Sequence, residues 1–268
     1  MLEGKSTSVS NESSKSRPLS TDQLVDALRE EIVSLTLQPG AVIDKRALCE
    51  RFGVSRFPVS AALLRLRDEG LVEVKPQSGT RVSRLKFSDV RENMFIRQAL
   101  EALAVRSLAG SLQAATLAAI ESNLKAQAAA VAAGDIKGFH SLDLAFHEIM
   151  LDAVGFARVK TFVETARLAI ERVRRLLATP RRQAVTLIEH RAIVAGLRAK
   201  DPARAATAIE AHLGEVMAGL LDLADRKPEL FADLGEQASP IVSSEKDPKR
   251  PRKLPARKKT TEKNGEIK

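Results

Sequence analysis

The sequence has one cysteine, no tryptophan and no tyrosine in 268 residues. It also has no apolar run near the ~18 residues that a membrane span needs. A lone Cys49 excludes an intramolecular disulfide and a cysteine-based zinc cluster, which makes a reducing, cytoplasmic setting the expectation. Residues 1–17 are rich in Ser and Thr, have no apolar centre and lack the pattern of a signal peptide. The missing Trp and Tyr argue against modules that stack bases on aromatic platforms. What is present is 44% hydrophobic residues, enough for roughly two globular domains, and a net charge of +9. Such a surplus favours a polyanionic partner, duplex nucleic acid first, with no membrane.

The charge is unevenly placed. Residues 236–268 carry ten basic and five acidic groups, including the run Lys249 to Lys259, and bury almost nothing apolar. A disordered basic tail is expected there, and a disordered segment over 1–17. The tail reads either as an arm on DNA phosphates or as a solubilising appendage. Residues 18–85 carry ten basic and nine acidic groups, so any sequence reader there depends on where its arginines sit and not on bulk charge.

Leu24, Val25, Leu28, Ile32 and Leu35 recur at helical steps over Thr21 to Leu37, with Ser20 or Thr21 as the cap and Pro39-Gly40 as the stop. A short helix follows over Asp44 to Phe52. Gly53 then turns the chain, and Ser55 is placed to cap a third helix, about Arg56 to Glu69, with Pro58 in its first turn. Val59, Ala62, Leu63 and Leu66 form the buried stripe of this helix, leaving Arg56, Phe57, Ser60 and Ala61 on the other side. Gly70 ends it. Alternating Leu71 to Val74, a turn over Lys75 to Gly79 and a second strand, Thr80 to Leu85, predict a hairpin wing.

The stretch from Leu37 to Val82, with "LQPG", "LCERFGVSRFPVSAALLRLRDEGLVEV" and "SGTRV", resembles the winged helix-turn-helix of GntR-family bacterial transcription regulators. The resemblance implies DNA contacts from Arg46, Ser55, Arg56, Ser60 and the wing residues Gln77 and Gly79. Ser60-Ala61 departs from the Arg-Glu usual in the family, which removes a guanidinium and its acidic neighbour and implies a different operator sequence or affinity.

From Ser88 to Leu223 the pattern is helical throughout. Breaks at Gly110, Gly134, Gly155, Pro180 and Pro202 predict six helices, 88–109, 112–133, 135–153, 156–178, 181–199 and 202–224, in one antiparallel bundle over 86–235. The fold class is therefore mainly α: a winged helix-turn-helix with a small β-hairpin over 18–85, then an all-α bundle. All four histidines lie in the bundle. Asp143 and His147 stand at i and i+4 on one helix, and His190 and His212 lie on two others. One carboxylate with three imidazoles suits Zn, Ni, Mn or Fe and leaves positions open for a ligand; the bland alternative is a solvated or capping pair.

Behind a GntR-type winged helix, this arrangement resembles the FCD effector domain of the FadR subfamily. The resemblance implies that Asp143, His147, His190 and His212 bind a divalent metal and that a small organic acid binds with its help. His140 is expected outside this set, exposed or in a supporting position. Arg97 matches an Arg-x-x-Leu-Glu pattern and reads either as an effector clamp or as a surface pair with Glu101. Arg174, Arg175, Arg181 and Arg182 are expected in solvent. The implied function is a homodimeric, effector-controlled regulator on a pseudo-palindromic operator, a repressor on family analogy and not an enzyme. Two alternatives remain: a metal-dependent enzyme at the Asp/His set, and a nonspecific DNA-binding protein driven by the tail.

Overall fold

The computed structural model describes residues 19–75 and 79–234. The segments expected to be disordered, 1–17 and 236–268, lie outside these residues, as does Gln77.

Helix α1 (Thr21–Val33) opens with a capping box in which Ser20 accepts from the Gln23 backbone and the Gln23 side chain returns the bond. It stops at Val33, short of the expected Leu37, because Leu35 takes a left-handed φ of 66° and turns the chain. Helix α2 (Lys45–Phe52) is capped by Asp44, whose carboxylate accepts from the Arg46 and Ala47 backbones. Gly53, at φ 64°, gives the sharp turn into α3 (Arg56–Asp68). The wing is β2 (Val72–Lys75) against β3 (Gly79–Val82). A two-residue strand, β1 (Val42–Ile43), pairs with the other edge of β3 and makes the sheet three-stranded, in the order β1-β3-β2. Two residues are too few to show alternation, so the sequence pattern could not reveal this strand. Leu24, Leu28, Ile32, Val59, Leu63 and Leu66 close one core between α1, α3 and the sheet.

A second core belongs to the helices that follow: α4 (Phe87–Ala109), α5 (Ala114–Ala133), α6 (Ile136–Val154), α7 (Ala157–Ala169), α8 (Glu171–Leu177), α9 (Pro180–Arg198) and α10 (Pro202–Arg226). Thr179 and Asp201 cap α9 and α10, each with proline in the first turn. The helix expected over 156–178 is two helices. Ile170, fully buried, departs from helical geometry between α7 and α8 although no glycine or proline marks the break. Gly155 caps α6 in the left-handed conformation, and Phe156 begins α7 without a side-chain cap.

The chain returns to the junction of the two cores. Leu85 and Phe231 form a parallel bridge. The Asp233 carboxylate accepts from the Phe87 and Ser88 backbones and the Ser88 hydroxyl, so the first turn of α4 is capped from 145 residues away.

Candidate metal centre and nucleic-acid interface

Three helices bring the expected set together. Asp143 and His147 on α6, His190 on α9 and His212 on α10 are all buried, with one ligating atom of each within 4.8 Å of the others. Every imidazole gives its Nδ1 to an acceptor behind it. His147 lies 2.6 Å from Glu101 of α4, His190 2.9 Å from Gln127 of α5, and His212 2.8 Å from Glu189 of α9. A carboxylate can only accept, so His147 and His212 donate from Nδ1 and turn their Nε2 atoms inward. Those two Nε2 atoms are 3.3 Å apart, and the buried Nε2 of His190 lacks a hydrogen bond, 3.5 Å from an Asp143 oxygen. One carboxylate oxygen and three ring nitrogens converging in this way, each ring held from behind, make a donor set that fits a divalent ion.

The electrostatics agree with neutral His190 and His212 rings and with ionised Asp143 and Glu101. Burial pushes the His190 imidazole well below its ordinary value, reinforced by His212, and lowers His212 in the same way. Burial acts to raise the Asp143 carboxyl, but Arg174 and the three imidazoles outweigh it and hold the group far below the carboxylate range. Glu101 follows the same pattern, with Arg97 and His147 overcoming its burial.

A cavity of about 330 Å³ opens beside the set, lined among others by Arg97, Asp143, His147, His212, Arg174 and Arg182. Arg97 forms the expected pair with Glu101, Nε to Oε1 at 2.7 Å, but both side chains are only 2% exposed, so this is not a surface pair. Arg174 is a correction. It is only 12% exposed, its guanidinium holds the second oxygen of Asp143, and Glu171 lies 3.5 Å away. Arg182 is likewise engaged, with Glu189 at 2.5 Å, whereas Arg181 is exposed. His140 lies 2.6 Å from Glu171 and outside the convergent set.

The supporting residues Glu101, Gln127, Glu189 and Arg174 escaped the sequence reading. One signal was available: Ile120, Asn123, Gln127 and Ala130 form the buried stripe of α5, so two amides occupy core positions at i and i+4. Polar residues in a core stripe need partners, and Gln127 has His190.

At the other end of the chain, Arg46 is exposed beside Glu50 at 2.9 Å, and Arg56, exposed at the start of α3, makes no ion pair among the described residues. Ser60 is exposed one turn further on. Ser55 holds the N-cap position, but its hydroxyl makes no capping bond, contrary to expectation. Gly79 opens β3 at φ 81°, which only glycine adopts without strain.

Comparison with known proteins agrees with this fold. Residues 20–82 match the model of bacterial regulatory proteins of the gntR family, and residues 92–215 match that of the FCD domain. An uncharacterized HTH-type transcriptional regulator from an unstable DNA locus of Streptomyces ambofaciens is 34% identical over 76% of this chain and 86% of its own. The HTH-type transcriptional repressor RspR of Escherichia coli K12 is 26% identical over 79% of this chain and 93% of its own. Among solved structures, McbR/YncC of Escherichia coli aligns with a TM-score of 0.58 at 22% identity, covering 75% of this chain and 97% of that one. This last likeness speaks to the fold alone.

Proposed function

Because the chain belongs to the GntR family of bacterial regulatory proteins and carries an FCD domain behind its helix-turn-helix, we propose that it is a repressor whose hold on a pseudo-palindromic operator is set by a small carboxylate. It is a DNA-binding transcription regulator and not an enzyme, as its relatives are. In this reading residues 18–85 bind DNA through Arg46, Ser55, Arg56, Ser60, Gln77 and Gly79, and residues 86–235 sense the effector. The observation that carries the sensing claim is the inward turn of three imidazoles, each backed by its own acceptor.

Asp143, His147, His190 and His212 would hold a divalent ion, Zn, Ni, Mn or Fe. When bound, such an ion supplies a Lewis-acid anchor for a carboxylate oxygen. Glu101, Gln127 and Glu189 fix the ring orientations, and Arg174 fixes Asp143. Arg97 lines the cavity with its Nε committed to Glu101, and no bond among the described residues engages its terminal amino groups, which suits them to clamp a carboxylate.

A route between the two halves supports the regulatory reading. Helix α8 carries Arg174 against Asp143 and also Arg172, whose Nη1 donates to the Ser83 carbonyl at 2.7 Å, one residue past β3. A shift of α8 at the cavity would reach the wing through that bond. Exposed Phe95 and Leu103 on α4, with Phe162 and Leu168 on the packed neighbour α7, supply apolar surface for a homodimer. The test is elemental analysis of the purified protein together with operator binding titrated with small carboxylates. About one ion per chain and a 5- to 150-fold change in operator affinity, a coupling of ~1–3 kcal/mol, are expected. Metal-free protein with an affinity indifferent to every acid would reject the sensing claim.

A further inference from the structure

Helix α3 exposes a side chain to which nothing above gives a role. Phe57 is 81% exposed, the highest value of any large apolar side chain among the described residues. It sits in the first turn beside Arg56. At about 100° per residue, Ser60, Ala61 and Leu64 share its face, directly opposite the buried Val59, Ala62, Leu63 and Leu66. Over its first two turns that face carries no charge, and the acid that ends it, Asp68, is paired with Arg67. Arg65 and Arg67 flank it, and each is engaged by an acid, Asp22 and Asp68.

A phosphate would select a cation at this position, and a hydrogen-bonded base edge would select a polar group. A bare ring suits neither. The N-terminal end of a recognition helix meets base edges in the major groove, where the apolar feature on offer is the 5-methyl group of thymine. We infer that Phe57 packs against a thymine 5-methyl group in each operator half-site and thereby selects thymine there. The inference rests on the reading of α3 as the DNA-contacting helix. Arg56, which makes no ion pair among the described residues and is adjacent in sequence, supplies the polar contact next to it.

The test uses the full chain and a pool of randomised duplex DNA. Bound sequences are selected, and each thymine of the consensus is replaced by deoxyuridine, which keeps every hydrogen bond and loses only the methyl group. One position per half-site should then weaken binding roughly four-fold, the factor for one buried methyl-sized group. With Phe57→Ala the same replacement should cost nothing, while Phe57→Leu should keep part of the effect. Because Phe57 is so exposed, the alanine variant keeps its fold, which circular dichroism verifies. A consensus without thymine, deoxyuridine neutral at every site, or an unchanged loss in Phe57→Ala would each overturn the inference while leaving the regulator reading intact. An altered oligomeric mass in Phe57→Ala with unchanged methyl preference overturns it too, assigning the ring to a contact between chains. A pool that yields no enriched sequence overturns both readings.

Discussion

Glu101 serves two buried neighbours at once, Arg97 through one oxygen and His147 through the other. Replacing it by Gln leaves a guanidinium in the core without a counter-ion. Glu101→Gln is expected to cost ~3–5 kcal/mol, the usual penalty for breaking a buried pair from one side; urea unfolding measures it, and a loss below 1 kcal/mol would contradict the account. At the DNA-facing end the scale is smaller. Arg56→Ala should weaken operator binding by ~1–3 kcal/mol with little change in stability, measured by gel shift at fixed salt. The two residues also differ in how visible they were. Arg56 announces itself by its place after Gly53-Val54-Ser55, and Asp143 with His147 by their i, i+4 spacing on one helix. Glu101, Gln127 and Glu189 act on histidines 46, 63 and 23 residues away, a relation made by helix packing that no local period records.

Helices meet at distances that single atoms set. A Cβ at Gly196 of α9 would lie 2.7 Å from both the Cα and the backbone N of Ala205 on α10. This close crossing positions the helices that bear His190 and His212. Gly196→Ala should therefore destabilise by ~1–3 kcal/mol through overpacking and reduce metal content, because it pries apart two ligand-bearing helices. Gly134→Ala, at a left-handed cap with open space around it, should cost ~1–2 kcal/mol and leave metal content unchanged. Thermal melts with elemental analysis separate the two, and equal metal loss would refute the distinction. Between α1 and the end of α3, Arg29 grips Glu69 at 2.7 Å and holds its carboxyl below the ordinary value. The native state therefore binds fewer protons than the unfolded chain just below that value, so this contribution is present above it and fades as pH falls through the lowered one. Both side chains are about one-third exposed, so solvent screening keeps the effect near ~0.5 kcal/mol. The stability gap between wild type and Glu69→Gln should narrow from pH 6 to pH 3 in denaturant titrations; a constant gap would exclude the ion pair as its source. Glycine and proline made most of these helix ends legible. Ile170 carries no such mark, although it is fully buried where the helix breaks.

At the scale of the whole molecule, the apolar side chains left bare on α4 and α7 predict association. Leu103 and Phe162 are about 60% exposed, so charge placed there should not disturb the monomer. Leu103→Glu with Phe162→Glu should shift the particle towards half its mass in light scattering and lower affinity for a two-half-site operator far more than for a single half-site. An unchanged mass would exclude this surface as a contact between chains.

The carboxylate of Asp233 on the first turn of α4 fixes the order in which the protein can be completed. On the ribosome, the core of α1, α3 and the sheet has all its residues once position 82 has emerged. The bundle must wait until residues in the 230s arrive to cap its first helix and pair with Leu85. A nascent chain can thus present a finished winged helix-turn-helix before its helical bundle exists. The junction of the two cores is the last part of the described residues to be made.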